Sequence, residues 1–328
     1  MTHLSSTKQA VGVAIVNWNS GSLLARCLDC LNKQTRPPET ILVVDNSSTD
    51  DSLSGAEERY PGIRIMRLDT NAGFAAANNR AVAHLQDCEW IALLNPDAFP
   101  EPAWLEKLLD AAAKHPNYSS FGCRMLIDAD PGLLDGCGDA YHTSGLVWRV
   151  GHGQPAQGRA LVPREIFSAC AAAALYRRSA FLEVGGFDED YFCYVEDVDL
   201  GFRMRLAGHR CLYVPDAIVR HVGSATTGRR SDFSVYHGHR NLVWTYFKDM
   251  PPLLFWLYLP QHLLINVGTM ILHTLRGQGG IMLRAKRDAL LGIPKMWQKR
   301  KALAGQCRID PLSLRKSMGC GFSKDGAD

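Results

Sequence analysis

What this 328-residue chain lacks narrows what it can be. Its ten cysteines are scattered, too sparse for the disulfide scaffold of a small secreted domain, so reduced thiols are expected. Cys27 and Cys30 form a lone C-x-x-C in a helix-like stretch, and without a second pair zinc is not indicated. Met1–Ala10 has no basic region followed by an apolar core and a small-residue cleavage site, which argues against secretion. Val11–Ser22 has no glycine-rich loop with basic residues. That loop usually cradles a triphosphate, so its absence counts against nucleotidyl transfer to a sugar phosphate. No internal repeat or low-complexity tract is present.

With 46% hydrophobic and 21% charged residues, the chain can bury a sizeable core, which excludes disordered and fibrous classes. The net charge of +3 conceals an asymmetry: residues 276–328 hold 12 Lys+Arg against 4 Asp+Glu, and residues 1–275 are net −5. A basic tail points to an anionic partner such as membrane lipid, and the acidic remainder argues against nucleic acid. Short apolar runs at Val11–Val16, Ile41–Asp45, Ile63–Leu68 and Trp90–Asn95 alternate with helical periodicity at Leu23–Gln34, Ser52–Tyr60, Phe74–Leu85 and Glu101–Lys114. That alternation predicts an α/β fold with a parallel sheet covered on both faces, and ligands at the strand ends.

From Tyr118 to about Arg178, frequent glycines break the pattern into short strands and loops. A helix is expected over 196–207, stopped by Gly208, then two short strands near Cys211–Val214 and Ala217–His221, and a mixed polar and aromatic helix over Asp232–Lys248. Met250–Leu275 contains no Asp, Glu, Lys or Arg and is long enough for a membrane span, which needs about 20 residues. Pro260, Gln261, His262, Asn266 and His273 interrupt it. The favoured expectation is a helical hairpin or kinked helix at a bilayer surface, with Arg284, Lys286, Arg287, Lys299, Arg300 and Lys301 facing anionic headgroups. Packing on the core or on a second subunit is the alternative.

Polar residues collect at the expected strand ends. Asp45-Asn46-Ser47-Ser48-Thr49-Asp50 is suited to hydrogen bonds with a base or ribose, or to helix capping. Asn71-Ala72-Gly73-Phe74 lets backbone approach a ligand at a helix start. Asp97 in Asn95-Pro96-Asp97 can hold a hard divalent cation that bridges diphosphate oxygens. Glu196, Asp197 and Asp199 cannot all point the same way on one helix. One of them can deprotonate a hydroxyl, while Asp199 is assigned to the helix dipole. His221 is placed to complete a metal site with Asp97. Tyr236–Asn241, and separately Trp148, His152 and Arg164, are open as acceptor-side groups.

Together these segments resemble the nucleotide-sugar-dependent glycosyltransferases of family 2, especially the bacterial rhamnosyltransferase-like branch. The resemblance spans about Val11–Lys248. It rests on Val16-Asn17-Trp18-Asn19, Val43–Asp50, Asn71–Phe74, Asn95–Asp97, Gly185–Asp188 and Glu196–Leu200 in order. It implies a GT-A fold, a Rossmann-like nucleotide-binding sheet (about 11–115) merged with an acceptor-binding half (about 116–248). Residues 249–328 are expected to be an appended helical, basic, membrane-associating region. It also implies donor contacts from Asn17, Asp45, Asn46, Asn71, Gly73, Asn78, Asn95 and Asp97, and Mn2+ or Mg2+ on Asp97 and His221. Asp197 would be the catalytic base, supported by Glu196. Asn95 replaces the first Asp of the family's Asp-x-Asp motif, and Asn78 stands where many relatives carry Arg. The implied activity is inverting transfer from a nucleotide sugar, dTDP-L-rhamnose foremost, to a glycan or lipid-linked acceptor. It would occur on the cytoplasmic membrane face, with a homo-oligomer open. A catalytically silent nucleotide-sugar-binding scaffold is the reading from another class.

Overall fold

The computed structural model describes residues 10–223, 228 and 230–319. The expectation on Met1–Ala10, apart from Ala10, lies outside them, as do residues 320–328 of the basic tail. The first half runs β1 (Val11–Asn17), α1 (Leu23–Leu31), β2 (Thr40–Asp45), α2 (Ala56–Arg59), β3 (Ile63–Arg67), α3 (Gly73–His84), β4 (Trp90–Leu94), β5 (Ala98–Pro100) and α4 (Trp104–Lys114). β1 pairs in parallel with β2 and β4, and β2 with β3. Alternation along these strands makes the sheet two-sided. Val11, Val13 and Ile15 meet Leu24, Cys27, Leu28 and Leu31 of α1 and the apolar face of α4 on one side. Ala14 and Val16 meet the alanines of α3 on the other.

The middle region adds β6 (Ser120–Ile127), β7 (Asp130–Gly136), β8 (Asp139–Tyr141), β9 (Val147–Arg149), β10 (Arg164–Ile166), β11 (Ala173–Arg177), α5 (Arg178–Glu183), α6 (Glu196–Leu206) and β12 (Cys211–His221). β11 runs antiparallel between β4 and β6, so its first residue, Ala173, sits opposite Leu94 at the end of β4. β12 is parallel to β6. The ends of β1, β2, β4 and β12 and the start of β11 therefore share one sheet edge. The two short strands expected at 211–221 are one strand, with a register shift between Val214 and Ile218. Pro215 has no N–H to offer the ladder there, so the strand bulges and continues.

Four helices follow: α7 (Asp232–Asp249), α8 (Pro252–Leu275), α9 (Gly279–Ala304) and α10 (Pro311–Lys316). The Met250–Leu275 segment, expected as a hairpin or kinked helix, is not a hairpin in itself: it forms the single helix α8, with Pro260 inside it. Among the described residues, α8 is the one helix long and apolar enough to cross a membrane by length and composition. Its polar residues turn inward. His262 stacks on Tyr246 with ring centroids 3.9 Å apart and bonds the Ser144 carbonyl, and His273 meets His239 Nε2-to-Nε2 at 3.2 Å. Beyond the buried Leu254 and Phe255, most of its large apolar residues turn outward, with Trp256 65% and Leu264 73% exposed. The basic segment does not present all its cations. Lys286 donates to the His239 carbonyl and Asn266, Lys299 pairs with Asp188 and Asp190, and Arg300 donates to the Phe247 carbonyl. These three lie where α9 packs toward the body, which leaves Arg284, Arg287 and Lys301 exposed.

Candidate active site

A cavity of about 760 Å³ opens at the shared sheet edge, within the size range of small-ligand sites. Asp97 and Asp197 both line it, together with Asn46, Asn71, Gly73, Asn95, Glu196 and His221. Two residues a hundred positions apart share this cavity because β4 ends and α6 begins at its edge.

The Asp97 side is set by strand register. β5 and β12 pair with His221 opposite Ala98, and the Val222 N–H donates to the Asp97 carbonyl at 3.1 Å. His221 Nε2 then lies 3.3 Å from Asp97 Oδ1, and its Nδ1 lies 2.8 Å from Asp135 Oδ2. Burial lowers the pKa of His221, but the bonds to Asp135 and Asp97 outweigh it and raise the value to about 9. Burial would raise Asp135. Its bonds to His221 and the charge of Arg149 instead hold it well below the usual carboxylate range. A carboxylate behind the far nitrogen of a histidine is the arrangement that orients metal-binding imidazoles. With Asp97 it makes an oxygen–nitrogen donor pair that fits a divalent cation, which would compete with the Nε2 proton.

The Asp197 side starts from a strained segment. Phe192, Tyr194 and Val195 have φ of 66°, 66° and 69° just before α6, a left-handed conformation that is costly for non-glycine residues and most unusual for β-branched Val195. Asn241 holds it, its amide donating to the carbonyls of Tyr191, Cys193 and Tyr194 at 3.0, 3.0 and 2.8 Å. The Ala75 N–H donates to the Phe192 carbonyl at 3.1 Å. Half-buried Asp197 thereby faces the cavity, accepting the N–H of Ala171 at 3.1 Å and of Val198 at 2.8 Å. Burial raises its pKa, and these bonds and Arg149 oppose the rise. Burial and neighbouring Asp197 push Glu196 well up and Asp139 to about 8. Donor atoms of Asp139, Cys170 and Asp197 lie within 4.8 Å of one another. The Arg149 guanidinium already occupies the flank of that cluster, 2.9 Å from Cys170 Sγ and 3.8 Å from Asp139.

Asn17, Asp45 and Asn78 do not line the cavity. Asn17 is fully buried. Its amide donates to Asp45, Ser48 and Ser52 and accepts from Ser20, so it and Asp45 tie the strand-end loops together behind the wall. The Asn78 amide donates to the Phe74 carbonyl one turn back. Asp199 is not a solvated dipole partner. It is fully buried between Arg203 and Lys248, on the side of α6 away from Asp197. Trp148 and His152 line the cavity, whereas Arg164 lies over the Tyr213 ring at 4.7 Å. Within Tyr236–Asn241, His237 stacks on Phe192 and Asn241 is the clamp described above.

The glycosyl transferase family 2 model matches residues 12–185, more than half of the chain. The chain belongs to glycosyltransferase family 2. A family relative, the N-acetylglucosaminyl-diphospho-decaprenol L-rhamnosyltransferase of Mycobacterium tuberculosis, is 35% identical over 66% of this chain and 77% of its own length. The O-antigen chain rhamnosyltransferase RfbN of Salmonella typhimurium is 28% identical over 69% and 70%. Among solved structures, the mannosyltransferase PcManGT from Pyrobaculum calidifontis in complex with GDP-Man and Mn2+ aligns with TM-score 0.53 at 18% identity. It covers 90% of this chain and 85% of that one. GalNAc-T7 with UDP, GalNAc and Mn2+ aligns with TM-score 0.60 at 16% identity, over 74% and 48%. These likenesses identify the fold as GT-A.

Four wall residues of this family 2 site escaped the sequence reading: Asp135, Asp139, Arg149 and Cys170. They sit on or beside strands of three to seven residues in the glycine-broken middle, where no periodicity marks a face. The fold alone reveals their packing: a Cβ on Gly136 would come within 2.2 Å of the Arg149 stem.

Proposed function

We propose that the protein transfers L-rhamnose from dTDP-L-rhamnose to a hydroxyl of a lipid-linked or growing surface glycan, inverting the anomeric carbon. The carrying observation is that Asp97 and Asp197 line one cavity; the names of the two rhamnosyltransferase relatives support the sugar and the acceptor class. Asn46, Asn71, Gly73 and Asn95 form the donor wall, with Asn17, Asp45 and Asn78 supporting it from behind. Asp97 and His221 would hold Mn2+ or Mg2+, which when bound offsets charge developing on the departing nucleoside diphosphate.

Asp197 accepts the proton of the acceptor hydroxyl as its oxygen attacks the anomeric carbon and the bond to the diphosphate breaks. The proton ends on Asp197 and the electron pair on the diphosphate, so no covalent enzyme intermediate is needed. Glu196, buried beside it, supports the base. Orientation and fixed charge supply most of the acceleration.

The outward apolar face of α8 suits peripheral docking on the cytoplasmic leaflet, where a lipid-linked acceptor would be reached. Apolar burial would dominate that docking, because half of the expected basic residues are tied into the body. The test is metal-dependent nucleotide release from a donor panel including dTDP-L-rhamnose and UDP-sugars, with membrane extract as acceptor. Asp197→Asn should lower turnover about 10²- to 10⁴-fold with donor binding nearly unchanged. Wild-type turnover in that variant would remove Asp197 as the base.

A further inference from the structure

One cation stands between the two halves of the site. Arg149 Nη1 donates to Asp135 Oδ2 at 2.6 Å, and the same oxygen receives His221 Nδ1 at 2.8 Å. Its Nη2 points at Cys170 Sγ at 2.9 Å, and its Nε lies 3.8 Å from Asp139 Oδ1. Asp139 and Cys170 are the groups clustered with Asp197. Gly136 leaves room for the arginine stem to pass. The groups facing Asp197 are Glu196 on its own helix, Asp139 from β8, Arg149 from β9, Cys170 beside the Ala171 N–H, and Tyr176 from β11. Arg149 is the positively charged member of this set. Two carboxyl groups this close do not both ionise readily. Asp139, 5% exposed and with Oδ2 lacking any hydrogen-bond partner, is the worse place for charge. Asp197, with two backbone donors, is the better one.

We propose that Arg149 is a positioning residue joining the two halves: it braces Asp135 behind His221 and keeps the Asp139–Asp197 pair singly protonated, with the charge on Asp197. This rests on the glycosyl-transfer reading with Asp197 as base. Opposite charge favours the ionised carboxylate, so its removal makes Asp197 harder to deprotonate and moves the acid limb of the pH–rate profile upward.

The experiment uses the full chain, with dTDP-L-rhamnose and Mn2+ and with nucleotide release as the signal. Arg149→Met should raise the acid limb by about one pH unit, and Arg149→Lys should restore most of that shift. Asp135→Asn, which loses the metal-side contact but leaves the cation beside Asp139, should alter the Mn2+ dependence and leave the limb in place. Thermal unfolding and nucleotide binding of each variant separate these effects from misfolding. An unmoved limb in Arg149→Met overturns the proposal, as does an equal shift in Asp135→Asn. So does a loss confined to donor affinity, which would make Arg149 a donor contact. No metal-dependent release by the wild type from any donor would overturn the transfer reading itself, and is scored before any variant. An acid limb unchanged in Asp197→Asn would overturn the base assignment separately.

Discussion

Replacing Lys248 with methionine tests whether the helix carrying Asp197 is anchored by buried charge. The ammonium is 1% exposed. It bonds Asp188 Oδ2 at 2.7 Å, reaches Asp199, and lies 4.6 Å from the centre of the Tyr191 ring. Asp199 is likewise unexposed, so solvent screening does not discount the pair. Breaking a buried pair from one side costs about 3–5 kcal/mol. The lower end applies here, because Asp199 keeps both Arg203 contacts at 2.9 and 2.7 Å and Asp188 keeps Lys299. At about 2.1 cal/mol/K of unfolding entropy per residue, 3 kcal/mol corresponds to a Tm about 4 °C lower. Methionine preserves most of the stem's packing, so the loss reports charge. Differential scanning calorimetry at neutral pH measures it. A Tm within 1 °C of wild type would refute the view that this knot supports α6.

Asp139 gives a prediction with a pH signature. Its carboxyl, with an ordinary value of 3.8, is pushed to about 8 in the fold by burial and Asp197. The folded state thus binds the proton more tightly than the unfolded chain, and stability falls as pH rises between those values. Asp139→Asn cannot ionise and should exceed wild type in urea midpoint by a margin that grows from pH 4 to 8; a wild-type advantage at pH 8 would contradict this. Gly73 has φ +83°, and a Cβ there would meet Phe192 Cδ2 at 2.6 Å and its carbonyl at 2.7 Å. Gly73→Ala should therefore lose about 1–2 kcal/mol of stability and weaken nucleotide binding measured by calorimetry. Leu264→Ser with Ile271→Ser should reduce pelleting with anionic vesicles while leaving the gel-filtration mass unchanged. A fall from dimer to monomer would instead make the α8 face a subunit interface.

The donor-side sheet was readable because β1, β2 and β4 are continuous apolar runs, whose burial on both faces leaves an unmistakable pattern. β11 was not. Its alanine-rich lead-in from Cys170 fits helix or strand, and its antiparallel insertion between β4 and β6 depends on partners far away in the chain. Asn17 illustrates a different limit. A polar residue ending a strand looks like a ligand contact, and only the folded loops reveal that Ser20, Ser48 and Ser52 already saturate it. Asp97, Asp197 and His221 stood out through motif resemblance, but bringing His221 to Asp97 required the register of β12 and facing Asp197 into the same cavity required the strained turn before α6. Asp199 was read only as a complement to the helix dipole because its partner Lys248 arrives from another helix.

The pairing of Ala98–Pro100 with Val219–His221 has a consequence for engineering. The spacing between Asp97 and His221 is dictated by main-chain ladder geometry, independent of the connecting segments. Residues 128–163, which bring the β8–β9 hairpin, leave the sheet beside His221, with the Asp128 N–H donating to the His221 carbonyl at 3.0 Å, and they carry the Asp135 carboxylate that bonds His221 Nδ1. Exchanging this stretch between related chains would leave Asp97 and His221 in the scaffold but carry the Asp135 brace off with the graft, so a working exchange has to retain that carboxylate.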